Sequence, residues 1–252
     1  MNKNPKKTFI DVTAPGKRAE RGHVHPLTQV MSRASEILSA MGFEMAEGPE
    51  LETEHYNFDA LNIPKDHPAR AMQDTFWVKN PGGEDKEKLL LRTHTSPVQI
   101  RYMENHQPPF RIVALGKVFR NEATDATHEA QFHQIEGLMI DRHTNLANLK
   151  AVIKIFLRRF FDDDKIEIRF RASYFPFVEP GVEIDMKFKG KWLEICGAGM
   201  AHPKVLESVK LEGQGWQGFA FGMSVERLAM IKYNIDDIRL FYSGDLRFLK
   251  QF

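Results

Sequence analysis

Apolar positions near the start of the chain recur every three or four residues. In "HPLTQVMSRASEILSAMG", Leu27, Val30, Met31, Ala34, Ile37, Leu38 and Met41 share one side of a helical period, and Gly42 stands where a helix should stop. The pattern predicts a long amphipathic helix over residues 25–41. It runs into a short strand, "FEMAEGPE", closed by Gly48-Pro49, which forces the chain to turn. "TSPVQIRYMENHQ" predicts a second helix with Ser96 as its cap and Pro97 at its first helical position. From residue 111 the period shortens to that of strands: "RIVALGKVFRNE", "QFHQIEGLMID", "KIEIRFRAS", "GVEIDMKFKGKWLEIC" and "GWQGFAF", with one helix, "NLKAVIKIFLRRFF", between the second and third. Val182, Ile184, Met186 and Phe188 alternate with polar residues, and Lys189-Gly190 supplies a hairpin turn. Short turns between successive strands imply an antiparallel sheet. With helices packed on one side it makes an α+β domain, not the alternating plan of a dinucleotide fold. The expected division is an N-terminal arm over residues 1–22 and one folded domain over 23–252.

Composition narrows the picture only slightly. A chain of 252 residues, 42% hydrophobic, can bury one large core. The formal net charge of +1 exerts no global pull on nucleic acid, so an RNA contact needs a local patch or another chain. The lone Cys196 rules out an internal disulfide framework and fits a reducing compartment, so the expected location is cytoplasmic. No apolar run approaches the roughly 18 residues of a membrane span, and "MNKNPKKTFIDV" lacks the apolar core of a signal peptide, so no membrane partner is expected. "KNPGGEDKEK", residues 79–88, reads as an exposed hairpin tip, and "FDDDK", residues 161–165, as a solvated turn and not a metal site.

Candidate chemistry comes from strand faces. In "QFHQIEG", Phe132, Gln134 and Glu136 point one way, and in "FRNE", Arg120 and Glu122 point together. An aromatic, an amide and a carboxylate on one face make a poor core strand and a good pocket wall, although either segment alone also fits an ordinary solvent-facing strand. "YFPFVEPG" sets Phe175 and Phe177 on one side with Glu179 behind, which is an apolar slot or simple core packing. "LRTHTSPVQ" presents His94, Ser96 and Gln99 at a helix start. In "GFAFGMSVERLAM", Gly218, Ala220 and Gly222 suit a close approach of backbone or ligand ahead of Glu226 and Arg227 at a helix start. There is no serine–histidine–aspartate arrangement and no phosphate-binding "GxxxxGK".

Taken in order, these segments resemble the class II aminoacyl-tRNA synthetases, and among them the α subunits of the bacterial-type phenylalanyl enzymes. The likeness runs from "TFIDVTAPGKR" to "DLRFLKQF". "GFEMAEGPE" corresponds to motif 1, "FRNE" with "HEAQF" to motif 2, and "GFAFGMSVERLAM" to motif 3; "LRTHTSPVQIR", "YFPFVEP" and "WLEICGAGM" are characteristic of the phenylalanyl enzymes. The resemblance implies ATP-dependent activation of L-phenylalanine and its transfer to tRNA(Phe), with Mg2+. It implies adenine between the Phe132 ring and the Arg227 guanidinium, Arg120 on the α-phosphate, and His128 on the outer phosphates. Glu122 belongs with Arg120 and Arg227 among the catalytic groups, Glu179 is the first choice of magnesium ligand and Glu194 the second. Phenylalanine would lie with its ring on Phe175, Phe177 and Ala220 and its polar end near His94, Ser96, Gln99, Gln134 and Glu136. The implied partner is a β subunit in an α2β2 enzyme, with the 25–41 helix and its strand forming the contact between catalytic domains. A single slot that rejects tyrosine only about a hundredfold also calls for a partner with an editing site.

Two features depart from the family. Family α subunits usually carry a helical-hairpin extension that touches tRNA; this sequence begins just before the core, whether trimmed or naturally minimal, and Ser224 stands where motif 3 usually has glycine. They leave two alternatives: a synthetase-like binding module without catalysis, and a stand-alone enzyme that passes an activated amino acid to another acceptor.

Overall fold

The computed structural model describes residues 22–71, 74–79 and 87–252, together with Thr13 and Gly16. Most of the expected N-terminal arm and the tip of the 79–88 hairpin lie outside the described residues.

The first helix, α1 (Pro26–Ala40), starts where His25 Nδ1 accepts the Leu27 N–H at 3.2 Å. It ends where the Met41 N–H still reaches the Ile37 carbonyl and Gly42 turns the chain at φ +85°. Its buried stripe is Leu27, Val30, Ala34, Ile37 and Leu38, as the periodicity predicts. Next come β1 (Glu44–Ala46), β2 (Leu51–Thr53), α2 (Glu54–Asn57), β3 (Trp77–Val78) and β4 (Leu89–Leu91). After them α3 (Ser96–Asn105) leads into the long strands β5 (Phe110–Phe119) and β6 (Gln131–Asp141). The capping box of Asn145 with Asn148 opens α4 (Leu146–Phe161), and Asp162 closes it in the left-handed region at φ 54°, so "FDDDK" is the expected turn. The chain finishes with β7 (Ile168–Phe175), β8 (Val178–Phe188), β9 (Lys191–Ala201), α5 (Pro203–Ser208), β10 (Gln217–Ser224), α6 (Val225–Tyr233) and α7 (Leu246–Leu249).

Seven strands form one sheet in the order β1-β5-β6-β10-β9-β8-β7. Every neighbouring pair is antiparallel except β1 with β5, which is parallel. The sheet is therefore mixed, a correction to the antiparallel expectation. Its cause is the long connection over residues 47–109, which returns the chain to the same end of the sheet as a crossover and not as a hairpin. That connection also builds a second sheet, β2-β4-β3, which the sequence pattern did not reveal. Strands of two or three residues are too short to display a period. The antiparallel pairing of β3 with β4 does set the two ends of the expected 79–88 hairpin side by side.

Apolar residues cover both faces of the large sheet. On one, Val30, Ile37, Phe156, Phe160 and Leu228 from α1, α4 and α6 pack on Ile135, Ile184 and Phe219. On the other, Ile100 of α3 and Val205 of α5 join Phe58 and Leu90 over Ile112, Leu138 and Ile140. Helices thus reach both faces, where one was expected, and the second face is covered only in part. Along β6 the even-numbered residues share that second face: Leu138 and Ile140 are core, whereas Phe132, Gln134 and Glu136 continue past the cover and line open space. No described helix is long and apolar enough to cross a membrane.

Candidate active site

Two recesses open along the uncovered half of the β6 face. The first is about 400 Å³ and is lined at its polar end by His94, Ser96, Gln99, Gln134 and Glu136 and along its wall by Phe175, Phe177 and Ala220. All eight residues that the family resemblance assigned to an amino acid line this one recess. The Phe175 and Phe177 rings stack at 6.0 Å between centroids, 22° apart. Phe175 can lie flat against β9 because residue 197 is glycine: a Cβ there would stand 2.9 Å from Phe175 Cζ. Gly222 does the same for Glu136, whose Cγ would be 3.1 Å from an added Cβ.

Glu136 is the anchor of the polar end. Only 6% exposed, it accepts the Thr95 N–H at 3.0 Å, the Ser96 hydroxyl at 2.6 Å and the Gln99 amide at 3.0 Å. Burial pushes its pKa up, while the Ser96 and Thr95 hydrogen bonds and the Arg120 charge favour the carboxylate. Those same bonds correct one expectation: Thr95 is the N-cap residue of α3, and Ser96 is its first helical residue with the hydroxyl spent on Glu136. Beside this anchor, both ring nitrogens of His94 and the Gln134 Oε1 are buried with no hydrogen-bond partner among the described residues. Unsatisfied buried polar atoms are costly, so a cavity lined by several of them is suited to a ligand with its own polar end.

Burial lowers the His94 pKa to about 3, with the Arg120 and Arg92 charges adding to the effect. The unfolded chain therefore takes up a proton on His94 near pH 6.5 while the folded chain does not, and stability present above that pH is lost as the pH falls toward 3. Between about pH 7.5 and 5 this costs about 2 kcal/mol. Urea unfolding of the parent and of His94→Gln across that range checks it, the expectation being a shallower acid slope in the variant.

The second recess, about 370 Å³, is polar and is lined by Arg120, Glu122, His128, Phe132, Glu194 and Arg227. Arg120 belongs to both recesses. Its guanidinium lies 5.0 Å from the centre of the Phe132 ring, its Nε donates to the Thr93 carbonyl at 3.3 Å, and its Nη1 is 3.9 Å from the Glu122 carboxylate. His128 sits in a turn organised by Asp125, whose carboxylate accepts the Thr127 and His128 N–H groups at 2.6 and 2.8 Å. The Ile238 N–H holds that turn down through the Ala126 carbonyl at 2.9 Å. Ser224, the family departure, lines this recess and is also the N-cap of α6, accepting the Arg227 N–H at 3.2 Å.

The two carboxylates expected to hold magnesium separate. Glu194 faces the polar recess, whereas Glu179 lines an adjoining hollow of about 380 Å³ with Met200 and Trp216, its carboxylate 3.3 Å from His202 Nε2. No group of three or more metal-ligating side chains occurs among the described residues. A Mg2+ carried by phosphates needs only one or two protein carboxylates, and of the two expected ligands Glu194 is the one that lines the polar recess.

Behind these walls the sequence missed Arg92 and Tyr242 altogether and missed the burial of Glu226. Arg92 is buried and donates to the carbonyls of Lys117 at 2.7 Å and Gly48 at 3.0 Å, tying the Gly48-Pro49 turn to β5. Glu226 is fully buried, and Tyr242 donates its hydroxyl to it at 2.7 Å. A charged residue beside an arginine at a helix start carries no local signal that it is buried.

The family described as tRNA synthetases class II core domain (F) matches residues 9–252. The chain belongs to the class II tRNA synthetases. Among the members most like it is a phenylalanine–tRNA ligase alpha subunit of Dehalococcoides mccartyi, 53% identical over 255 residues, covering 96% of this chain and 73% of that protein. The protein of the same name from Prochlorococcus marinus is 54% identical over 243 residues, covering 96% and 70%. That from Xylella fastidiosa is 51% identical over 248 residues, covering 96% and 72%. The fold also resembles the pyrrolysyl-tRNA synthetase of Desulfitobacterium hafniense, with a TM-score of 0.67 at 19% identity, covering 87% of this chain and 74% of that one. The α+β class II fold expected from the ordered motifs is thus the fold observed.

Proposed function

We propose that this chain is the α subunit of a phenylalanine–tRNA ligase, activating L-phenylalanine with ATP and passing it to tRNA(Phe). The observation that carries the reading is Arg120, one guanidinium shared by an apolar, carboxylate-ended cavity and a polar, arginine-lined one. A phenyl ring on Phe175, Phe177 and Ala220, with its ammonium toward Glu136, directs the substrate carboxylate to the Arg120 end. ATP in the polar recess, with its base against Phe132 and Arg227 and its phosphates toward Arg120 and His128, brings the α-phosphorus to the same point. A carboxylate oxygen then bonds to that phosphorus, the bond to the β-phosphate oxygen breaks, and pyrophosphate leaves. The terminal ribose hydroxyl of tRNA next attacks the acyl carbon, AMP leaves, and the hydroxyl proton passes to solvent. The carboxylate is already a competent nucleophile, so the site supplies position and compensating charge and needs no poised base. Mg2+, if bound there, would neutralise phosphate charge, with Glu194 as the residue that would hold it in the polar recess; Glu179 lines a different hollow.

The name "alpha subunit" of the relatives supports a β subunit as partner, in an α2β2 assembly, with α1 and β1 at the contact between catalytic domains. The cytoplasm, where tRNA is charged, is the proposed location. Transfer of labelled phenylalanine to tRNA(Phe), measured with and without the partner subunit, tests the reading. Charging that requires the partner supports it. Adenylate formation without charging in either arm would favour the stand-alone alternative, and neither reaction the silent module.

Ala220 sets the depth of the slot. Ala220→Gly is expected to admit para-chlorophenylalanine, because removing a methyl where the ring ends makes room that only a longer ligand fills. Pyrophosphate exchange driven by that analogue, absent in the parent and present in the variant, is the expected outcome; equal rates in both would place the end of the slot elsewhere.

A further inference from the structure

The polar recess is flanked by two side chains that reach it from different elements, Phe132 of β6 and Arg227 of α6. Directly behind them, one residue along in each element, sit His133 and Glu226. β10 pairs with β6 as far as Ser224 opposite Gln134, and past that point the Glu226 carboxylate takes over the ladder. It accepts the His133 N–H at 2.9 Å and its ring Nδ1 at 2.8 Å. It also accepts the Ser224 hydroxyl at 3.0 Å and the Tyr242 hydroxyl at 2.7 Å. The Glu226 side chain is 0% exposed, so its carboxylate is reached by these donors and not by bulk water. A fully buried carboxylate is costly unless its lone pairs are filled, and here four donors fill them.

We propose that Glu226 is a positioning residue for the nucleotide base: its clasp on His133 and Tyr242 fixes the gap between the Phe132 ring and the Arg227 guanidinium. The inference rests on the reading of the polar recess as the ATP site. Tyr242 comes from the segment after α6 and does not line the recess, and its hydroxyl meets the Glu226 carboxylate. A base slot is worth its full stacking energy only at one spacing, and a clasp one residue behind each wall sets that spacing without occupying it.

The test is equilibrium binding of three probes, adenosine, ATP and phenylalanine, to the full chain carrying Tyr242→Phe or Glu226→Gln. Loss of the Tyr242 bond is expected to weaken adenosine and ATP alike by about fivefold, and Glu226→Gln, which turns an acceptor into a donor facing other donors, by about tenfold or more. Phenylalanine affinity should stay at the parent value, a split that a merely structural role would not produce. If Glu226→Gln does not fold, Tyr242→Phe, changed at a residue that is 37% exposed, still decides. Adenosine affinity unchanged in a folded variant overturns the proposal, and so does an equal loss for all three probes. A parent chain that binds phenylalanine but neither adenosine nor ATP overturns instead the reading of the recess, and the clasp with it.

Discussion

Arg120→Ala is expected to lower phenylalanine-dependent exchange of pyrophosphate into ATP by about a hundredfold or more, the usual cost of removing a preorganised donor from developing charge. The residue is unusual in lining both recesses, and burial lowers its pKa without discharging it, the Glu122 and Glu136 carboxylates acting in the opposite sense. It is already oriented by the Thr93 carbonyl and held over Phe132, so little reorganisation is needed when charge moves from carboxylate to phosphate. Arg120→Lys should recover only part of the loss, because a point charge on a flexible stem cannot bond in two directions from one plane. Exchange at the parent rate in Arg120→Ala would remove the residue from the reaction.

Glu136→Gln should weaken phenylalanine binding by about a hundredfold or more, the order found when one partner of a buried, hydrogen-bonded charge pair is truncated. The carboxylate accepts from Thr95, Ser96 and Gln99, and it is the acidic side chain lining the apolar cavity. An amide in its place would remove the countercharge proposed for the substrate ammonium and turn one end into a donor against donors. ATP affinity measured without phenylalanine should hold, since Glu136 does not line the polar recess. Loss of both affinities together would mark Glu136 as a structural residue.

The parts of this account legible in the sequence are those where burial follows a period. α1, α4 and the long strands alternate or repeat over enough residues to be recognised, and the face shared by Phe132, Gln134 and Glu136 follows from strand geometry alone. The small sheet was hidden because its strands are two or three residues long and pair across the chain, from Leu51 with Leu91 to Trp77 with Leu90. The parallel β1–β5 pair was hidden because direction is set by the connection and not by the strand. Ser96 was a reasonable cap from its position, but a buried carboxylate forty residues away competes for its hydroxyl. The burial of Glu226 depends on His133 and Tyr242, neither of which is its neighbour in sequence. The separation of Glu179 from Glu194 depends in the same way on how β8 and β9 pair, with a register shift between Val178 and Gly181.

The most direct test of the central claim is amino-acid-dependent exchange of labelled pyrophosphate into ATP, in the presence of Mg2+, with the chain alone and assembled with the proposed β subunit. The account predicts exchange that saturates with phenylalanine, falls sharply with aliphatic amino acids too small to fill the Phe175–Phe177 slot, and is abolished by chelating the metal. No exchange with phenylalanine in either arm, or stronger exchange with another amino acid, would contradict it.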